Sequence, residues 1–126
     1  MNDRRKTLAL AKLMEVSFQA AQADMAKLNG EEAQLRQRMR DLTDEVSRRA
    51  TAMRPIDEPA TIAGADLRWH CWIDQRKAKI NAELARVLAR QETCRIRLSK
   101  SFGKRQIAAA IAAKSDSAAR KPDYES

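Results

Sequence analysis

Few side chains in this chain can carry chemistry: one histidine, His70, and two cysteines, Cys71 and Cys94. Zinc sites draw on several Cys and His ligands, and a lone histidine without a C-x-x-C pair does not supply the usual set. Neighbours on a helix point roughly 100° apart, so the His70 imidazole and the Cys71 thiol cannot easily work on one atom. On one helix, the 23 residues between Cys71 and Cys94 span roughly 34 Å at ~1.5 Å per residue, which is too far for a disulfide. The three glycines form neither a phosphate-cradling loop nor a dinucleotide fingerprint. The expectation is a non-enzyme with no catalytic residues, no cofactor and no metal.

What remains is the chemistry of contact. Trp69 and Trp72 are three residues apart and share a helix face, and a thin helical seam cannot bury two indoles fully. They either cap the seam over Ile56 and Ile62 or present a docking surface, where exposed tryptophan is enriched. Both readings hold if one ring packs and the other docks. The formal net charge is +8 and the isoelectric point about 10.0. Residues 66–114 hold twelve Lys or Arg against four Asp or Glu, and residues 1–54 hold eleven against eight. A stripe of Arg86, Arg90, Arg95, Arg97, Lys100, Lys104 and Arg105 reads as a solvated face or as a cationic surface. With Arg4, Arg5, Lys6 and Lys12 it would make one end of a hairpin strongly positive. Such a surface attracts acidic proteins, anionic membranes or nucleic acid, and charge alone does not choose among them. The candidate partner-binding residues are Arg4, Arg5, Lys6, Lys12, Trp69, Trp72, Lys100, Lys104 and Arg105.

These residues must be positioned by helices. Apolar residues make up 44% of the chain but aromatics only 4%, with 33% charged, which fits a long-helix or coiled-coil protein better than a thick-cored globule. Met14, Phe18, Ala21, Met25, Leu28, Glu32, Leu35, Met39, Leu42, Val46, Arg49 and Met53 follow a 3-4 spacing, and Glu32 and Arg49 are its polar exceptions. Sustained over about five heptads, that spacing predicts a coiled-coil seam, which reaches back to Leu10 with a one-residue slip. Ile73, Lys77, Ile80, Leu84, Val87, Gln91, Cys94, Leu98, Ser101, Arg105, Ala108 and Ala112 form a second seam, with Phe102 and Ile111 beside it. Glu32 either fixes the pairing register or sits as a solvated neighbour. Glu32/Arg36, Asp44/Arg48 and Glu45/Arg49 are spaced to pair along the first helix. Gly30 marks either a bend or a tolerated weak point.

Two of the three prolines and Gly64 fall in residues 55–65. Proline has no N–H to donate and disfavours helix at the residue before it, so this stretch predicts a break. The expected organisation is a first helix over 4–54, a linker over 55–65 and a second helix over 66–114, with Asp66 as its N-cap (or an earlier start at Thr61). Residues 115–126 are expected to be a flexible tail. A short connection between long helices makes an antiparallel hairpin the default. The fold class is thus all-α, a two-helix antiparallel coiled-coil hairpin. A turn near residue 60 makes facing residue numbers total about 119–120. This sets Met39 near Ile80, Leu35 near Leu84, Met25 near Cys94, Ala21 near Leu98 and Phe18 near Phe102. No run approaches 18 consecutive apolar residues and no cleavable signal is visible, so a reduced cytoplasmic setting is expected.

Leu8, Leu10 and Leu13 flanked by Arg and Lys, an unbroken helix, a polar break, the restart Leu67-Arg68-Trp69-His70-Cys71-Trp72-Ile73 and a basic second helix together resemble the FliJ family. These are stalk proteins of flagellar type III export, with injectisome counterparts, and the resemblance covers most of residues 4–114. It implies an antiparallel coiled-coil hairpin whose termini-bearing end docks in the ring of the hexameric export ATPase. The basic residues Arg4, Arg5, Lys6, Lys104 and Arg105 at that end are compatible with such docking. A second surface, mid-rod and near the linker, is expected to contact the membrane export gate, and escort of export chaperones is implied as well. By position Trp72 matches an aromatic on the gate-contacting face, while Arg76 and Lys79 stand where the family has an apolar and a small residue. The implied location is cytoplasmic and peripheral to the inner face of the membrane, without insertion. The alternatives are a basic hairpin binding nucleic-acid phosphates and a homodimeric coiled-coil scaffold.

Overall fold

The computed structural model describes residues 2–52 and 59–120. All of them are helical: α1 spans Asn2–Ala52 and α2 spans Pro59–Arg120. The two helices pack against each other as an all-α hairpin. Neither α1 nor α2 is long and apolar enough to cross a membrane over the described residues.

The heptad pattern explains the packing. Each described seam position is buried or half-buried, from Met14 to Arg49 on α1 and from Ile73 to Ala112 on α2. Phe18, Ala21, Leu35, Leu42, Ile73, Val87, Cys94 and Ala108 are the buried apolar core, and Ile73 is its one large side chain that is fully enclosed among the described residues. Gln91 and Ser101 are buried polar members of the seam. No buried side-chain nitrogen or oxygen lacks a hydrogen-bond partner among the described residues, so these two positions avoid the cost of an unsatisfied polar group. Met53 lies outside the described residues.

The element boundaries differ from the sequence reading. Residues 59–65, expected within the linker, are the first turns of α2 rather than a break. Pro59 occupies the first helical position, where the missing N–H costs no intrahelical bond and its fixed φ suits a helix. Asp66, expected as the N-cap, therefore sits inside α2, where it faces Arg49 and His70. At the other end, residues 115–120 of the expected flexible tail continue α2. Ala118, Ala119 and Arg120 are strong helix formers, and Asp116 is tied to Arg4 at 2.6 Å. Residues 53–58 and 121–126 lie outside the described residues. Gly30 is helical with an ordinary negative φ, and no atom stands within 4 Å of where a β-carbon would be. It is tolerated in an open position.

The chain divides into two compact units, one from Met1–Lys27 with Gln91–Ser126 and the other Leu28–Arg90. They are called the basic unit and the middle unit below. Within the basic unit α1 and α2 run antiparallel: Arg4 meets Asp116, Glu15 meets Arg105 and Phe18 meets Phe102. In these three pairs the residue numbers total 120, the value the sequence reading expected of facing positions. Within the middle unit the order is also antiparallel, with Arg49 against Asp66 and Trp69.

Candidate partner-binding surfaces

Thirteen Lys or Arg against seven Asp or Glu fall in 1–27 and 91–126, and twelve against ten in 28–90. Most of the excess charge thus belongs to the basic unit. Its α1 and α2 are held in register by the Phe18 and Phe102 rings, 5.7 Å apart and tilted at 51°. The buried Cys94 thiol contacts the Ala21 carbonyl oxygen at 3.6 Å. Arg97 donates to the Asp24 carboxylate, which raises the Arg97 guanidinium above its ordinary pKa. Arg105 meets Glu15 at 2.5 Å and places its guanidinium 4.7 Å from the Phe18 ring centroid. Arg4 is paired with Asp116. These ion pairs are substantially exposed and screened by solvent, so they add little to stability. They nevertheless fix which facing residues meet.

Those pairings sort the expected cationic residues into two groups. Arg4 and Arg105 already have intramolecular carboxylates. Arg5, Lys6, Lys12, Lys100 and Lys104 are exposed, and no carboxylate among the described residues holds them in an ion pair. Their charge is available to a partner without breaking an internal pair. The same division applies along α2, where Arg95 pairs with Glu92 at 2.6 Å and Arg97 with Asp24.

The middle unit carries the tryptophans, and they part company. Trp69 is half-buried. The Arg49 guanidinium lies 4.2 Å over its ring, and the His70 ring stands edge-on at 5.1 Å. Asp66 completes the cluster, 3.4 Å from His70 Nε2 and 4.0 Å from Arg49 Nε. A planar guanidinium can stack on an indole while its edge faces a carboxylate, which explains why a seam position accepts Arg49. The Glu45/Arg49 pairing anticipated from spacing gives way to this cluster. Glu32/Arg36 does form, at 2.7 Å, so the half-buried Glu32 is held by its own helix.

Trp72 is 42% exposed, with the Arg76 guanidinium 4.7 Å over its ring. It borders a groove of about 430 Å³ floored by Leu42 and Ile80 and rimmed by Arg38, Asp41, Glu45, Arg76, Lys79 and Glu83. Arg76 and Lys79 both belong to that rim. The groove offers one exposed indole, an aliphatic floor and balanced rim charge. Such a surface suits a protein contact. Ile62 is half-buried, while Ile56 lies outside the described residues.

Three features escaped the sequence reading. The pairs Arg4–Asp116, Glu15–Arg105 and Asp24–Arg97 were legible as opposite charges at facing positions, given the register. The Arg49–Trp69 stack had a weaker signal, an arginine where the heptad called for an apolar residue. The exposed apolar side chains Leu13, Ile107 and Ile111 had none beyond lying off the seam. Leu10, expected to extend the seam, is exposed instead because Thr7, Ala11 and Met14 hold the half-buried positions of that stretch. Cys71 is exposed and Cys94 buried, both as free thiols. Among the described residues no group of three or more His, Cys, Asp or Glu is placed to hold a metal ion. No protein-family model, curated protein or solved structure matches this chain.

Proposed function

We propose that this hairpin is a non-enzymatic, stalk-like component of a flagellar type III export apparatus. In this reading the basic unit docks in the ring of the hexameric export ATPase, and the groove beside Trp72 contacts the export gate or a substrate chaperone. The chain would act in the cytoplasm, peripheral to the membrane through that apparatus. The observation that carries the reading is the exposed set Arg5, Lys6, Lys12, Lys100 and Lys104 on an antiparallel two-helix unit. The resemblance at Leu67–Ile73, where Trp72 remains exposed, supports it as well. A stalk that binds the assembled ring better than free subunits shifts the population toward the hexamer, by as much as its differential affinity allows.

The test is the affinity of the full-length chain for the export ATPase, measured by sedimentation. Arg5→Glu with Lys6→Glu and Lys104→Glu reverses three exposed charges while leaving the seam intact. The expected result is at least tenfold weaker binding, more pronounced at low salt. Unchanged affinity would remove the basic unit as the docking site. Trp72→Ala is expected to weaken gate or chaperone binding and to leave the ATPase interaction alone.

A further inference from the structure

One flank of the basic unit is apolar where solvent would be expected to favour charge. Leu10 is 42% exposed, Leu13 60%, Ile107 63% and Ile111 43%. Register places these four side chains together. Leu10, Ser17 and Asp24 recur every seven residues on α1, and Arg97, Lys104 and Ile111 do so on α2. Seven residues are close to two whole turns, so each trio keeps to one side of its helix. The Asp24–Arg97 ion pair shows that these two sides face the same way. Because the helices run antiparallel, one heptad back on α1 corresponds to one heptad forward on α2. Ser17 therefore stands beside Lys104, and Leu10 beside Ile111. Leu13 lies one turn on from Leu10, and Ile107 one turn back from Ile111, which widens the patch outward. Glu15–Arg105 belongs to the other side of the seam.

Charge frames this patch at both ends. Lys6 precedes Leu13 by one heptad and Lys114 follows Ile107 by one. Lys100 and Lys104 precede Ile107 and Ile111 by one heptad each. All four lysines are exposed. Asp3 and Asp24 share the flank, and Asp24 is already engaged by Arg97. The flank is thus a short apolar strip about two turns long, with a positive frame.

We propose that this flank seats one amphipathic helix of an acidic protein partner, completing a local three-helix bundle. The docked helix would set Leu, Ile or Met at 3-4 spacing against Leu10, Leu13, Ile107 and Ile111, with Asp or Glu at both ends of its apolar stripe facing the lysines. A second copy of this chain is the wrong occupant. In a parallel or an antiparallel arrangement of two such flanks, lysine meets lysine at both ends of the strip. A lipid surface is also disfavoured, because the apolar face does not continue along either helix but ends in lysines within about two turns, whereas membrane-surface helices extend theirs. The flank and its frame come from the register of α1 and α2 and do not depend on the export reading.

The experiment is selection of a displayed library of helical peptides, with randomised seam and rim positions, on the full-length chain. The selected peptides are then measured by fluorescence anisotropy. The expected winners carry an apolar 3-4 stripe with acidic ends. Their binding should fall at least tenfold with Leu13→Ser plus Ile107→Ser, two substitutions at largely exposed sites that leave helicity unchanged. Should that variant lose helicity, Lys100→Glu with Lys104→Glu takes its place with the same expected loss, since both side chains are exposed. Winners with basic ends, binding indifferent to both variants, or no helix selected at all would overturn the proposal. So would a wild-type dimer that dissociates on Leu13→Ser, or vesicle binding through this flank that no selected peptide displaces. A wild-type chain that binds these peptides but not the export ATPase would overturn the export reading and uphold this one.

Discussion

Replacing Phe18 and Phe102 singly and together tests the register on which the surface assignments rest. Phe18 is 8% exposed, while Phe102 is 43% exposed. Phenylalanine-to-alanine changes in cores cost roughly 3–5 kcal/mol, and a two-helix seam can partly collapse onto the gap. Phe18→Ala should therefore cost about 3 kcal/mol. A fully buried Phe contributes up to ~3 kcal/mol, so Phe102→Ala, with over half of its surface covered, should cost about 1.5 kcal/mol. The rings lie 5.7 Å apart at 51°, a tilted pair of the kind worth about 0.5–1.5 kcal/mol beyond area burial. The double variant should consequently lose about 3.5 kcal/mol rather than the ~4.5 kcal/mol that independence predicts. Urea unfolding followed by helical circular dichroism gives all four corners of the cycle, with a shared m-value as the check that the denatured state is unaltered. A coupling below ~0.3 kcal/mol, the level at which distant sites are additive, would refute the contact. The pairs Glu15–Arg105 and Asp24–Arg97 would then need another register.

Three further outcomes are expected. Gly30→Ala should raise stability by about 1 kcal/mol, because the site is helical and open where the β-carbon would go; thermal unfolding would show an unchanged or lowered midpoint if the backbone there were strained. Leu35→Asp with Leu84→Asp should abolish cooperative unfolding, since Leu35 is 5% exposed and a seam carboxylate has no partner to offset its desolvation. Native helicity in that variant, read by circular dichroism, would defeat the seam assignment. Cys71 should react with a thiol reagent within seconds to minutes and Cys94 only on unfolding, given their exposed and buried positions; equal rates in the folded chain would contradict the packing around Ala21.

The seam was readable because heptad spacing is a physical constraint on every turn. Even its polar members Glu32, Arg49, Gln91 and Ser101 are half-buried or buried where the spacing put them. The helix ends were less readable. Pro59 is ambiguous by nature, since the same missing N–H that breaks a helix interior is harmless at its first turn. The helical run through residue 120 was hidden because Ser115, Asp116 and Ser117 read as polar tail, while Asp116 has an arginine waiting on α1. Among the site residues, charge and exposure separated in a way composition cannot show. Arg4 and Arg105 are occupied by carboxylates, whereas no carboxylate among the described residues holds the exposed Arg5, Lys6, Lys12, Lys100 and Lys104. The two tryptophans shared a face by spacing, yet Arg49 covers one ring and leaves the other at a groove. That difference depends on which α1 residue stands opposite, information held in the pairing and not in the local sequence.

The central functional claim is that this hairpin serves protein export, and a tagged pull-down of the full-length chain from native lysate tests it most directly. The capture is nuclease-treated, washed at moderate and at high salt, and read by mass spectrometry. The account predicts recovery of the hexameric export ATPase or the export gate, with the ATPase lost when Arg5, Lys6 and Lys104 are reversed to Glu. Recovery of nucleic acid before nuclease treatment, lost steeply with salt and with no export protein after it, would contradict the account and assign the basic unit to phosphates instead.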